Sequence, residues 1–180
     1  MRVIGGELRS RRLKSAPGLD TRPTPDRLRE TLFNVLAPLI EGSVFVDAYA
    51  GTGAVGIEAL SRGASRAIFI ERARPALHVL RENIAALGLT DRSRVIVGYP
   101  ATEIAAVQAG IVFADPPYAL EREYESLLEA LGRNPPDLAI IQHSSKYDPG
   151  ERHGRLLRYR VLRQGDNSLS FYRPEYCPAS

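Results

Sequence analysis

Asp115-Pro116-Pro117-Tyr118 carries the most chemical information in this 180-residue chain. Two consecutive prolines stiffen the backbone and remove two amide donors. The carbonyl groups of Asp115 and Pro116 can then face a site without competing N–H groups. Such a set suits a planar amino nitrogen, which is a poor nucleophile because its lone pair is delocalised into the attached ring. Two acceptors gripping its hydrogens, the Asp115 carboxylate and the Pro116 carbonyl, would pull that nitrogen toward tetrahedral geometry. They would also aim its lone pair at an electrophile, so positioning and electrostatics supply most of the catalysis. Tyr118 would stack on a base, a contact worth roughly 1–3 kcal/mol in single-strand binders. A paired base hides its amine, so the target must be unpaired or flipped out. The tetrapeptide alone does not separate adenine, cytosine, guanine or a glutamine side chain.

A second constellation lies upstream, in Asp47-Ala48-Tyr49-Ala50-Gly51-Thr52-Gly53-Ala54-Val55-Gly56. Its glycines match the dinucleotide fingerprint, and Glu71 follows at the distance of an acid that accepts hydrogen bonds from ribose hydroxyls. Glycine there lets backbone approach a ligand and turn sharply into a helix. These features serve a dinucleotide and a methyl donor alike. Asp47 helps to choose, because a carboxylate beside the loop would repel a pyrophosphate. S-adenosylmethionine has no phosphate and carries a cationic amino group and a cationic sulfonium. The residues expected to hold it are Asp47, Tyr49, Ala50, Gly51, Thr52, Gly53 and Glu71, with Asp115 between cofactor and acceptor.

The elements that must position these groups follow from the pattern of apolar runs. Segments 44–48, 67–71, 95–97, 111–114 and 138–141 read as buried parallel strands. Helical segments near 54–62, 74–87, 101–108 and 122–132 alternate with them, the signature of a doubly wound α/β sheet. Both motifs then fall at the C-terminal ends of strands, where open α/β sheets bind ligands. The run 156–162, a turn at Gly165-Asp166-Asn167 and the run 169–172 predict a closing antiparallel hairpin. At the other end, 2–5 and 11–14 flank Gly6 as a small hairpin. Thr24 or Asp26 would cap a helix whose apolar stripe is Leu28, Leu32, Val35 and Leu36, leaving Arg22, Arg27 and Arg29 available to a partner.

The formal net charge is only +3, so the distribution of charge is more informative than the total. Arg2, Arg9, Arg11, Arg12 and Lys14 face one acid, Glu7, and a second set comprises Arg152, Arg155, Arg158, Arg160 and Arg163. Clustered cations are the footprint of a phosphate-backbone binder, or alternatively two solvated faces. The single cysteine, Cys177, excludes an intramolecular disulfide and a cysteine-cluster metal site. The N-terminus lacks a signal-peptide core and no apolar run could span a bilayer, so a cytoplasmic protein is expected. No metal is expected. His143 reads as structural or as a substrate contact, since no second ligand lies at helical or strand spacing.

Taken together these motifs closely resemble the bacterial 16S ribosomal RNA (guanine-N2)-methyltransferase family known as RsmD. The resemblance runs through Arg2-Val-Ile-Gly-Gly6, Arg11-Arg12-Leu13 and the discriminating stretch from Arg22 to Asn34. It continues through the Asp47 loop, Glu58 to Arg62, Glu71 and the Asp115 tetrapeptide. It implies a class I S-adenosylmethionine-dependent fold, with a mostly parallel seven-stranded sheet, a C-terminal antiparallel hairpin and a short basic N-terminal extension. It implies methylation of the guanine conventionally numbered 966 in 16S RNA, within the 30S subunit or an assembly intermediate. Residues 1–40 would contact RNA through Arg2, Arg9, Arg11, Arg12, Lys14, Arg22, Arg27 and Arg29, and 41–180 would form the catalytic domain. A monomer is expected. Tyr99 stands where similar enzymes carry an acid or amide near the adenine amine, and Gln142 where they carry Glu. The competing readings are a DNA adenine-N6 methyltransferase, an NAD-dependent oxidoreductase and a non-catalytic RNA-binding module. The first lacks a separate target-recognition domain, the second is opposed by Asp47, and the third by Asp115 and Tyr118.

Overall fold

Alternating apolar strands and amphipathic helices fold as one mixed sheet covered on both faces. The computed structural model describes residues 1–15, 25–117 and 120–175. Its elements are α1 (Asp26–Leu36), β1 (Val44–Ala48), α2 (Ala54–Ser61), β2 (Arg66–Glu71), α3 (Arg74–Ala86), β3 (Ser93–Val97) and α4 (Pro100–Glu103). They continue as β4 (Ile111–Ala114), α5 (Glu121–Arg133), β5 (Leu138–Ser144), β6 (Arg152–His153), β7 (Leu156–Gln164) and β8 (Asn167–Pro174). The sheet order is β3-β2-β1-β4-β5-β8-β7-β6. Strands β1 to β5 pair in parallel, and β8, β7 and β6 add antiparallel.

Side chains alternate across each strand and so build two cores. Phe45, Phe69, Phe113, Ile140 and Phe171 pack beneath α1, α2 and α3. Val46, Ile68, Val112, Ile141 and Tyr172 pack with Tyr124, Leu127, Leu128 and Leu131 of α5. From β1 the chain winds outward through β2 and β3, then returns to place β4 on the other flank of β1. That reversal sets the C-terminal ends of β1 and β4 side by side at a topological switch point, where such sheets usually form their ligand crevice.

The structure adds detail to the expected architecture at four places. An eighth strand, β6, has only two residues and owes its existence to pairing with β7. The helix expected near 101–108 is one α-turn followed by a 3-10 turn at Ile104–Ala106, ended by the extended and buried Val107. The N-terminal hairpin is a single bridge between Arg2 and Arg12, and its Val3 and Leu13 are buried in the core beneath α1 and α2. At the start of α1 the N-cap position falls to Pro25, without a side-chain cap. Asp26 is the first helical residue, and Thr24 lies outside the described residues.

Candidate active site

Asp47 sits one residue from the end of β1, on the face that carries Phe45. The alternation directs it at α2, where its Oδ2 accepts from the Gly56 N–H at 2.8 Å and satisfies an otherwise open donor of the helix's first turn. The side chain is 2% exposed. Burial pushes its carboxyl well above the usual carboxylate range, against the Gly56 hydrogen bond, and the charges of Glu71 and Asp115 push it further. Three acids from the ends of β1, β2 and β4 therefore share one electrostatic field.

The loop between β1 and α2 is fixed by backbone. Ala50 donates to Ile70, and Gly53 donates back to Ala50 at 2.8 Å. Tyr49 adopts a left-handed φ of 66°, strain of the kind that clusters in ligand-binding loops. Its hydroxyl donates to Glu123 of α5 at 2.7 Å, and burial followed by that contact raises its pKa far above the ordinary phenol value. Glu71 accepts from the Gly51 N–H through Oε2, and from the Arg72 and Ala73 N–H groups through Oε1, all at 2.8 Å. Those bonds aim the carboxylate and leave it acceptor capacity toward the crevice.

The three glycines have different roles. A Cβ at Gly51 would project into open space beside the loop, whereas one at Gly53 would strike Leu80 and one at Gly56 would strike the Phe69 ring. Gly53 and Gly56 are therefore packing glycines, and Gly51 leaves open space beside its backbone. An open backbone cradle, a ribose-directed carboxylate and a concentration of negative charge fit the doubly cationic S-adenosylmethionine. They oppose a pyrophosphate.

Asp115 follows β4 directly, beside the paired ends Ala48 and Ala114. It is half-buried, Pro116 is buried and Pro117 is exposed. The Pro116 carbonyl has a side-chain donor that the sequence did not reveal. The Tyr124 hydroxyl, eight residues on in α5, donates to it at 3.0 Å. Tyr118 lies outside the described residues. Tyr99 is 57% exposed, with the Arg72 guanidinium 4.6 Å from its ring centroid. Gln142 is buried within β5. His143 is also buried, with Nδ1 2.9 Å from the Ser144 carbonyl and Nε2 2.8 Å from Ser170 Oγ. A carbonyl can only accept, so Nδ1 carries the proton and Ser170 donates to Nε2. Burial lowers the pKa of this imidazole and keeps it neutral.

Of the expected RNA contacts, Arg2, Arg9, Arg11, Arg12, Lys14 and Arg27 are exposed, and Arg22 lies outside the described residues. Arg29 is a correction. It is 0% exposed, because positions 29, 32, 33 and 36 of α1 share the helical stripe that faces the core. Its guanidinium donates to the Arg2 carbonyl at 2.6 Å and to Asp26 at 3.1 Å, and its Nε lies 3.9 Å from Glu58. Glu58, also fully buried, accepts from Ile4 N, Gly5 N and Arg62 Nε at 2.8 Å each. This cluster fastens the basic extension to α2. Asn83 adds a second fastening that the sequence did not reveal. Its amide bonds both backbone groups of Lys14 and the Thr52 carbonyl of the cofactor loop. Much of the C-terminal basic set is likewise structural: Arg152 pairs with Glu175, Arg155 bonds the Arg133 carbonyl, and Arg158 pairs with Asp148.

The family model described as "Conserved hypothetical protein 95" matches residues 1–173. The chain is 44% identical over 156 residues to ribosomal RNA small subunit methyltransferase D of Escherichia coli strain K12, covering 83% of this chain and 77% of that protein. It is 31% identical over 182 residues to YlbH of Bacillus subtilis, a candidate rRNA methyltransferase, covering 96% and 98%. Its structure is similar to that of the candidate methyltransferase yhhF from Escherichia coli, with a TM-score of 0.80 at 35% identity over 97% and 98% of the two chains. The chain belongs to the conserved hypothetical protein 95 family, the RsmD family of S-adenosylmethionine-dependent methyltransferases.

Proposed function

We propose that the protein methylates the exocyclic N2 of one guanine in 16S rRNA, the one conventionally numbered 966, within the 30S subunit or an assembly intermediate. The observation behind this reading is the meeting of Asp115 and Pro116 with the acids of the cofactor loop at one crevice. Relatives named as rRNA small subunit methyltransferases support the choice of substrate. Bound S-adenosylmethionine supplies an electrophilic methyl group. Glu71 accepts from the ribose hydroxyls, Gly51 with Ala50 and Thr52 provides the backbone cradle, and Asp47, Gly53 and Tyr49 hold that loop in shape. The Asp115 carboxylate and Pro116 carbonyl accept the two amine hydrogens and aim the lone pair at the methyl carbon. As the C–N bond forms and the sulfonium S–CH3 bond breaks, leaving the neutral thioether S-adenosylhomocysteine, Asp115 or water takes the proton released from N2. Pro117 stiffens the turn and Tyr118 stacks on the guanine.

The extension formed by residues 1–40 supplies phosphate contacts through Arg2, Arg9, Arg11, Arg12, Lys14, Arg22 and Arg27, while residues 41–180 carry the chemistry. The protein acts in the cytoplasm as a monomer. Among the described residues no helix is long and apolar enough to cross a membrane. Asp115→Ala tests the assignment. Transfer of labelled methyl to 30S particles should fall at least about a hundredfold, the scale of losing a group that positions and polarises the reacting atom, with cofactor affinity within a few-fold of native. Unchanged turnover would refute the role given to Asp115.

A further inference from the structure

The geometry points to Tyr124 as a positioning residue for methyl transfer, an inference that rests on the reading of Pro116 as an acceptor for the substrate amine. A carbonyl oxygen has two lone-pair directions. The Tyr124 hydroxyl donates along one of them at 3.0 Å; a donor there fixes the carbonyl's orientation, and under the proposed function the second direction goes to the substrate N–H. The two proline nitrogens of the tetrapeptide donate nothing to that carbonyl. The orienting donor comes instead from the first turn of α5.

Tyr124 is itself tightly held. It is 1% exposed, belongs to the core beneath α5, and its ring centroid lies 4.9 Å from that of Tyr147. Tyr147 in turn meets the His143 ring edge-on at 6.2 Å. A buried tyrosine seeks a partner for its hydroxyl, and here that partner is a carbonyl of the acceptor motif. The preceding residue, Glu123, takes the Tyr49 hydroxyl at 2.7 Å and lies 3.8 Å from Arg72. Adjacent residues on one helical turn therefore reach the two halves of the site. Glu123 reaches the cofactor loop and Tyr124 reaches the acceptor carbonyl. The distance between methyl donor and amine is set through this turn as much as through β1 and β4.

Tyr124→Phe removes the hydroxyl and keeps the ring stacked on Tyr147. Steady-state methylation of 30S particles should show kcat lowered about tenfold, equivalent to 1.4 kcal/mol. The KM for 30S particles and the Kd for S-adenosylmethionine should stay within about twofold of native. Leu127→Ala is the control: Leu127 is buried in the same core and has no polar group to offer the Pro116 carbonyl. It should lower the melting temperature yet leave kcat within about twofold when assayed well below the transition. Native kcat in Tyr124→Phe, or an equal kcat loss in Leu127→Ala, would overturn the inference. Failure of the underlying reading would appear separately, as native enzyme that transfers no methyl to guanine N2.

Discussion

Asp47 shows how much a single residue contributes beyond a hydrogen bond. Its burial and its neighbours Glu71 and Asp115 disfavour its charge, and a cationic ligand would relieve that cost. An acid whose pKa is higher folded than unfolded binds more protons in the folded state. Asp47 therefore contributes stability at low pH that is lost as pH rises from 3.8 through its raised folded value. Asp47→Asn keeps an acceptor for the Gly56 N–H and removes the charge. Ligand-free Asp47→Asn should melt no lower than native at pH 8 in calorimetry and should lose that part of the pH slope. Its affinity for S-adenosylmethionine by titration calorimetry should fall about tenfold or more, as expected for removing a nearby opposite charge. A variant that melts lower and binds normally would make Asp47 a structural cap alone.

At the scale of elements, much of this fold was legible. The runs 44–48 and 111–114 coincide with β1 and β4, because buried parallel strands are written as unbroken apolar segments. The glycine loop and the acceptor tetrapeptide were legible for a related reason: each packs its requirements into a few adjacent residues. Arg29 was misread because its charge outweighed its place on the stripe of Leu32, Phe33 and Leu36. The roles of Glu58, Asn83 and Tyr124 were missed because their contacts with Gly5, Lys14 and Pro116 are set by tertiary packing and not by helical or strand spacing. Strand β6 is a product of pairing and carries no run of its own. The Glu58 cluster supports a prediction at this scale. Glu58→Gln leaves the buried Arg29 short of its countercharge and should cost about 3–5 kcal/mol of stability by denaturant titration. It should also loosen residues 1–15, weakening RNA binding in low salt more than it weakens cofactor binding. A stability loss under about 1 kcal/mol would show that Val3, Leu13 and the Asn83 bonds hold the extension without help from the Glu58 cluster.

For the whole molecule, the sheet's reversal between β1 and β4 brings the glycine loop and the Asp115 tetrapeptide, proposed as cofactor cradle and amine grip, to one edge of the sheet. The helices α1 to α3 on one face support the exposed arginines of the extension. Helix α5 on the other face ties the two halves of the crevice together. Under the proposed function, base chemistry and RNA-backbone binding would occupy different parts of one molecule, which suits a base drawn out of a folded RNA. The most direct test uses 30S particles from cells lacking the endogenous enzyme, incubated with the protein and labelled S-adenosylmethionine, then digested to nucleosides. The expected result is label in N2-methylguanine from 16S RNA at a single position. Label in adenine, label only in added DNA, or no transfer at all would contradict the assignment.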